Sequence, residues 1–367
     1  MALPLSQDDV TRLLAEPSAP VRADVAVKLA AGFEDDSLSP SELLVAQDIL
    51  RILAQDVAEV VRCALSQSLR RAKLLPHDVA LRLANDIEDV ALPILDKSPI
   101  LTEADLVAVV KQGSLRKQVS IARRPDVTEP IAYALVTEAP EPAVVALLGN
   151  PDARIEAPSL DKALDRFANS VAVKDGMAHR PTLPVTVTER LVAMVSDQLR
   201  EYLVAHHDLP AERVTDIVLA TRDRVTLNLS QASDEAELLT LTAQMHRQGR
   251  LTAFLVWRAL SLGDMAFFEA AMSTLTGVPI KNARILIHDG GPSGLESLYG
   301  KSGLPEHMFR AVRTAVDVLH EMQFDGGARD HERYRSRVIT RILTQFETFP
   351  AEDLEYMLDK LGDALSA

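Results

Sequence analysis

The chain has 367 residues, more than one compact core usually spans, so two or three units or one elongated array are expected. Apolar residues are 47% and charged residues 25%, which argues against disorder, and with aromatics at only 4% the core must come from Leu, Val, Ala and Ile, a composition that suits helices better than strands. The net charge of −14 speaks against a general phosphate-backbone or anionic-membrane binder, and the single Cys63 allows neither an internal disulfide nor a multi-cysteine metal site.

The segment from Met1 to Asp9 has neither the basic nor the apolar stretch of a signal peptide. No apolar run reaches the ~18 residues that would span a bilayer. A cytoplasmic helical protein is expected.

Ser39-Pro40-Ser41-Glu42 is a capping box with Pro at the first helical position, followed by Leu43, Leu44, Ala46, Ile49 and Leu50 at helical spacing. Thr102-Glu103-Ala104-Asp105 repeats the signal ahead of Leu106, Val109 and Val110, and Thr186-Val187-Thr188-Glu189 ahead of Leu191, Val192, Met194, Val195 and Leu199. Pro76, Pro130, Pro142, Pro210 and Pro350 all stand where a helix could begin. Strand-length alternation is nearly absent. The fold class read from this pattern is all-α, with roughly twenty short helices.

The first half repeats itself. The run from Asp56 to Leu65 aligns with that from Asp86 to Leu95, thirty positions later. Val21-Arg22 matches Val61-Arg62, and Arg124-Pro125-Asp126 matches Asn150-Pro151-Asp152. A period of 26 to 40 residues with paired helices predicts an α-solenoid over residues 1–170, because one amphipathic pair cannot bury its apolar face alone. Val61, Leu65, Ala91 and Leu95 then belong between repeats. Gly, two Pro and few periodic apolar residues make residues 171–185 a linker. The aromatics gather beyond it, around Phe254, Trp257, Phe267 and Phe268, so residues 186–367 are read as a C-terminal helical domain with its own core.

Val60-Val61-Arg62, Leu83-Ala84 with Asp86, Val90-Ala91 with Pro93-Ile94-Leu95, Ser98-Pro99, Asp105-Leu106, Ile121-Ala122 with Arg124, and Leu147-Leu148 with Asn150 fall in order along the first half. Gly249-Arg250-Leu251, Arg258-Ala259-Leu260, Gly263-Asp264, Phe267 to Ala271 and Ser302-Gly303-Leu304-Pro305 do so in the second. Together they resemble a mainly alphaproteobacterial family with HEAT-like repeats, domain of unknown function 2336. The resemblance implies a HEAT-like fold and, by analogy with other such arrays, a surface for protein partners. It brings no reaction and no catalytic residues.

The candidate sites are few. Gly290-Gly291-Pro292-Ser293-Gly294 is the only Gly-rich loop. It lacks the Lys and hydroxyl of a P-loop, so a turn between helices outweighs an anion-binding loop. No histidine pair has metal-ligand spacing, no nucleophile-and-base arrangement is visible, and no cofactor is implied. Cys63 reads as buried packing. Arg333, Arg337 and Arg341 are spaced i, i+4, i+8 beside the stripe Tyr334, Val338, Ile342, with Arg310 and Arg313 as an extension from the preceding helix. Such a row can hold carboxylates or phosphates, and its bland alternative is a solvated face. Arg70, Arg71 and Lys73 at a helix end are read as capping its dipole.

The functional expectation is a non-enzymatic scaffold or signalling adaptor binding protein partners, without bulk nucleic acid or membrane insertion and with homo-oligomerisation left open. The alternative is a sensor of a small anionic ligand such as a nucleotide at an arginine-lined site. A nucleic-acid-modifying enzyme on HEAT-like repeats ranks third, because the acidic charge and few aromatics disfavour it.

Overall fold

The computed structural model describes residues 11, 15, 18–34, 40–206, 211–289, 291, 293–322, 333, 334, 336–338, 340 and 341. Within them the regular structure is helical throughout, without a strand. No described helix is long and apolar enough to cross a membrane. The chain divides into two compact units, Met1–Thr182 and Leu183–Ala367.

The first unit contains α1 (Ala19–Glu34), α2 (Pro40–Leu53), α3 (Glu59–Leu69), α4 (His77–Ala84), α5 (Glu88–Lys97), α6 (Glu103–Gln112), α7 (Leu115–Ala122), α8 (Glu129–Glu138), α9 (Glu141–Leu148), α10 (Ala157–Arg166) and α11 (Val171–Ala178). Alternate helices pack on one another. One row runs α1, α3, α5, α7, α9, α11, and α6, α8 and α10 form a second. Successive helices of the first row start 26 to 40 residues apart, which are the offsets at which the sequence repeats. Val61, Leu65, Ala91 and Leu95 are fully buried between these helices, as expected from their recurrence.

Two polar ladders fix the steps. A helix leaves its last carbonyls without intrahelical donors. Here a side chain from the next step supplies them. Arg82 Nε donates to Ala54 O at 3.2 Å, Arg124 to Leu95 O and Ser98 O at 2.6 and 2.9 Å, and Asn150 to Ala122 O and Arg124 O at 2.9 and 2.7 Å. Lys117, Arg166 and Arg180 do the same after α4, α8 and α9. At the other helix ends a leading glutamate accepts from the start of the helix two further on. Glu88 accepts from Ser114, Glu103 from Thr128, Glu129 from the Glu156 amide at 2.7 Å, and Glu141 from Ser170 at 2.6 Å. A carboxylate at a helix start also complements the dipole there.

The expected linker is in part a helix. Residues 171–178 form α11, with Val173 and Met177 fully buried against α9 and the Ser170 side chain capping its start. The Gly and Pro signals were real but local. Gly176 sits over Leu148, where a Cβ would come within 3.3 Å of the leucine, so it is a site of close packing.

The second unit contains α12 (Val185–His206), α13 (Ala211–Gln231), α14 (Glu235–Arg247), α15 (Ala253–Ser261), α16 (Met265–Thr276), α17 (Ile280–His288), α18 (Ser293–Lys301), a 3-10 turn at Glu306–Met308, and α19 (Phe309–Glu321). Helix α16 is its centre. It packs against α13, α14, α15, α17 and α18, and Phe267, Phe268, Ala270, Ala271 and Met272 are fully buried. Gly263 takes a φ of 80°, a left-handed turn that glycine adopts without steric cost, and so lets Asp264 cap α16 through the Phe267 amide at 3.0 Å. The capping box expected at Thr186 to Glu189 does not form, since the helix already begins at Val185. Glu189 instead turns inward, 1% exposed, to an ion pair with Arg250 at 2.6 Å.

Candidate functional site

The first unit carries a groove of about 960 Å³ across α5, α7 and the turn after α7. Leu92, Pro99, Leu115, Val119 and Pro125 supply its apolar surface. Arg71, Lys97, Arg116, Arg123 and Arg124 supply five cations against two acids, Asp96 and Asp126. A hollow of about 430 Å³ adjoins it toward α3 and shares Leu92, Asp96, Lys97 and Arg116. One face of α3, α5 and α7 therefore carries a continuous basic and apolar surface in a chain whose net charge is −14.

The five cations are not equivalent. Arg124 is 2% exposed and serves the fold, pairing with Asp126 at 2.8 Å while capping α5. Its guanidinium holds the Asp126 carboxyl below the usual range. Arg116 is drawn to Glu88 and Asp89 at 2.9 and 3.4 Å. Arg71, Lys97 and Arg123 are exposed and form no ion pair or side-chain hydrogen bond among the described residues. Each stands at the end of its helix, Lys97 closing α5, Arg123 just past α7 and Arg71 two residues past α3. The carbonyls they would otherwise cap at α5 and α7 are already taken by Arg124 and Asn150.

Arg70, Arg71 and Lys73 follow the end of α3, where their charge complements its dipole as expected. Arg70 reaches only Gln67, and the Leu69 carbonyl is met by the Ala72 amide, so none of the three caps α3 through its side chain. Cys63 is half-buried at the edge of the smaller hollow rather than in the core, and burial pushes its thiol pKa up.

Some of the arginines singled out in the second unit are engaged within it. Tyr334 and Val338 are buried as the expected stripe, with Tyr334 donating to Ala315 O at 3.0 Å, while Ile342 lies outside the described residues. Arg333 and Arg337 are exposed, and Arg341 pairs with Glu321 at 2.9 Å. Arg310 and Arg313 lie in the first turns of α19, whereas Glu321 ends it. Arg313 is also engaged, with Asp317 at 3.0 Å and with the Gly291 carbonyl at 3.0 Å.

That last bond bears on the glycine loop. Gly290 and Pro292 lie outside the described residues. The Gly291 amide donates to Asp289 at 3.2 Å, and Ser293 is exposed at the start of α18. A Cβ on Gly294 would meet the Leu286 carbonyl at 2.9 Å, so this glycine lets α18 approach α17. Asp289, Arg313 and Leu286 thus account for the described part of the loop by packing and internal bonds.

Near it, Glu269 on α16 binds Arg284 at 2.6 Å and His288 at 2.7 Å, and the other nitrogen of His288 faces His320 at 3.0 Å. Among the described residues no group of three or more His, Cys, Asp or Glu could hold a metal ion.

Residues 90–351 match the bacterial family described as uncharacterised protein conserved in bacteria, DUF2336, and the chain belongs to that family. No curated protein and no solved structure matches the chain. The residues on which the resemblance rests have structural duties here. Arg62 pairs with Asp86, Arg124 and Asn150 cap helices, Arg250 meets Glu189, and Ser302 closes the turn after α18 by donating to Tyr299 O at 2.6 Å. They specify the fold and leave the chemistry of the surface open.

Proposed function

We propose that this member of the DUF2336 family is a non-enzymatic helical-repeat scaffold, HEAT-like in its first unit, that binds a protein partner along the exposed face of α3, α5 and α7. The observation that carries the reading is the groove built by successive helices, with an apolar floor and three cations that the fold itself leaves unused. A surface assembled from equivalent positions of stacked helices is how repeat proteins present extended binding faces. Apolar floors with polar edges suit protein partners.

Quantitative affinity capture from a native bacterial lysate tests it, with the whole chain and its Arg71→Glu, Lys97→Glu, Arg123→Glu variant as parallel baits. The reading expects at least one protein enriched by the former and lost with the latter. Enrichment that ignores the groove variant, or none at all, counts against it.

A further inference from the structure

The three unused cations sit at corresponding places, one at the C-terminal end of each of three helices that pack in succession. Packed helices lie about 8–10 Å apart, so the cations form a ladder with that step rather than a cluster converging on one point. The ladder stops at α9, which ends in Leu148, Gly149 and Asn150 without a cation. Leu92, Leu115 and Val119 line the same groove, on earlier turns of α5 and α7 than the rungs.

Resting on the scaffold reading above, we infer that the groove receives an acidic segment of a partner protein, with carboxylates on the Arg71, Lys97 and Arg123 rungs and apolar side chains against Leu92, Leu115 and Val119. The spacing favours a chain over a small anion. A peptide in the polyproline II conformation has three residues per turn and rises about 3.1 Å per residue, so carboxylates at every third position share one face and meet successive rungs. A single phosphate could satisfy one rung and would leave the apolar floor uncovered. Duplex nucleic acid fits poorly, since three rungs are a short basic track on a chain of charge −14. Long-range attraction between the rungs and an acidic segment also speeds encounter, and it makes binding sensitive to salt.

The test uses the whole chain and a fluorescein-labelled synthetic peptide of Glu-Leu-Ser repeats, read by anisotropy. Comparison peptides replace Glu by Lys or Leu by Gly, and inorganic phosphate, ATP and a short DNA duplex serve as competitors. The inference expects saturable binding of the Glu-Leu-Ser peptide that weakens with salt and falls about tenfold or more in the triple Glu variant. A neutral Arg71→Gln, Lys97→Gln, Arg123→Gln variant should lose an intermediate amount, and circular dichroism checks that both fold. The Lys peptide should not bind, and the Gly peptide should bind more weakly than its Leu counterpart. Equal binding of the Glu and Lys peptides, or unchanged affinity in both variants, overturns the inference. So does displacement by phosphate, ATP or duplex DNA at concentrations where the Glu peptide fails to displace itself. If lysate capture depends on the groove and the peptide does not bind, the acidic occupant is wrong while the scaffold stands. Capture indifferent to the groove removes the scaffold reading even where the peptide binds.

Discussion

Arg124 donates to the Leu95 carbonyl at 2.6 Å, so a side chain from the turn after α7 closes the end of α5. The same guanidinium reaches Ser98 O and Asp126, and almost none of it is exposed. Replacing Arg124 by Ala leaves two carbonyls without this donor, and a buried unmet group costs about 1–3 kcal/mol. The Arg124→Ala variant should lose about 2–5 kcal/mol in a urea melt. Arg124→Lys should recover part of it, because one ammonium cannot reproduce the planar fork. A loss under about 1 kcal/mol would show that the ladder is not a stabilising element.

Leu65 tests the apolar side of the same helix stack. It is fully buried on α3, the helix that packs on α5, with Ala91 and Leu95 equally buried across the step. Truncation to Ala removes packed methyl groups and leaves a cavity that helices pinned by polar ladders cannot fully close. The expected cost is about 2–5 kcal/mol. Val60→Ala, at an exposed position on the same helix, is the control and should change stability by less than about 0.5 kcal/mol.

The two units should respond to acid with opposite signs. In the first, Asp56, Asp86 and Asp126 lie below the ordinary value of 3.8. Asp56 and Asp126 are lowered chiefly by their arginine partners Arg22 and Arg124. For Asp86 the largest influence, burial, pushes upward but is outweighed by Arg62 and the Ile87 amide. Their contribution to stability is present above 3.8 and is lost as pH falls through the folded values. In the second unit, burial raises Glu189 and Asp223 above their ordinary values of 4.5 and 3.8. Such groups disfavour the fold while charged, so protonation relieves the cost as pH falls through the raised values. As pH is lowered from 7, amide exchange should show protection rising around α12 and α13 before the ordinary carboxyl values are reached, while α3 to α7 stay level and lose protection only below the ordinary 3.8. Glu189→Gln should flatten the rise. Parallel loss in both units across that range would contradict the sign assigned to Glu189.

These tests touch what the sequence did and did not disclose. Val61, Leu65, Ala91 and Leu95 were legible because apolar periodicity is written in side chains, and the helix offsets follow from the same pattern. Arg124 and Asn150 were legible as a matching pair but not as caps, because their acceptors are backbone carbonyls that every residue carries. Arg71, Lys97 and Arg123 were hidden for a different reason. Each alone resembles an ordinary cation at a helix end, and they become one surface only when alternate helices stack. The Arg333 row was conspicuous because its spacing lies within one helix, where i, i+4, i+8 can be read directly. Thr186 to Glu189 misled because a capping box and a buried glutamate near a helix start share the same letters.

The Arg333 row then offers a contrast with the groove. Arg333 and Arg337 are exposed, and their helix is held by the adjoining stripe of Tyr334 and Val338, which are buried. The Tyr334 hydroxyl donates to the Ala315 carbonyl, and burial holds its pKa well above the ordinary 10.0, so it stays a donor at neutral pH. Anchoring by the stripe predicts that Arg333→Glu with Arg337→Glu leaves the melting temperature within a few degrees, since exposed charges contribute little. Tyr334→Phe, which removes only a buried hydrogen bond, should cost more, about 0.5–1.5 kcal/mol. If the scaffold reading is right, the double glutamate variant keeps the partners that the groove variant loses. If it loses them and the groove variant keeps them, the arginine row is the binding edge and the groove a solvated face.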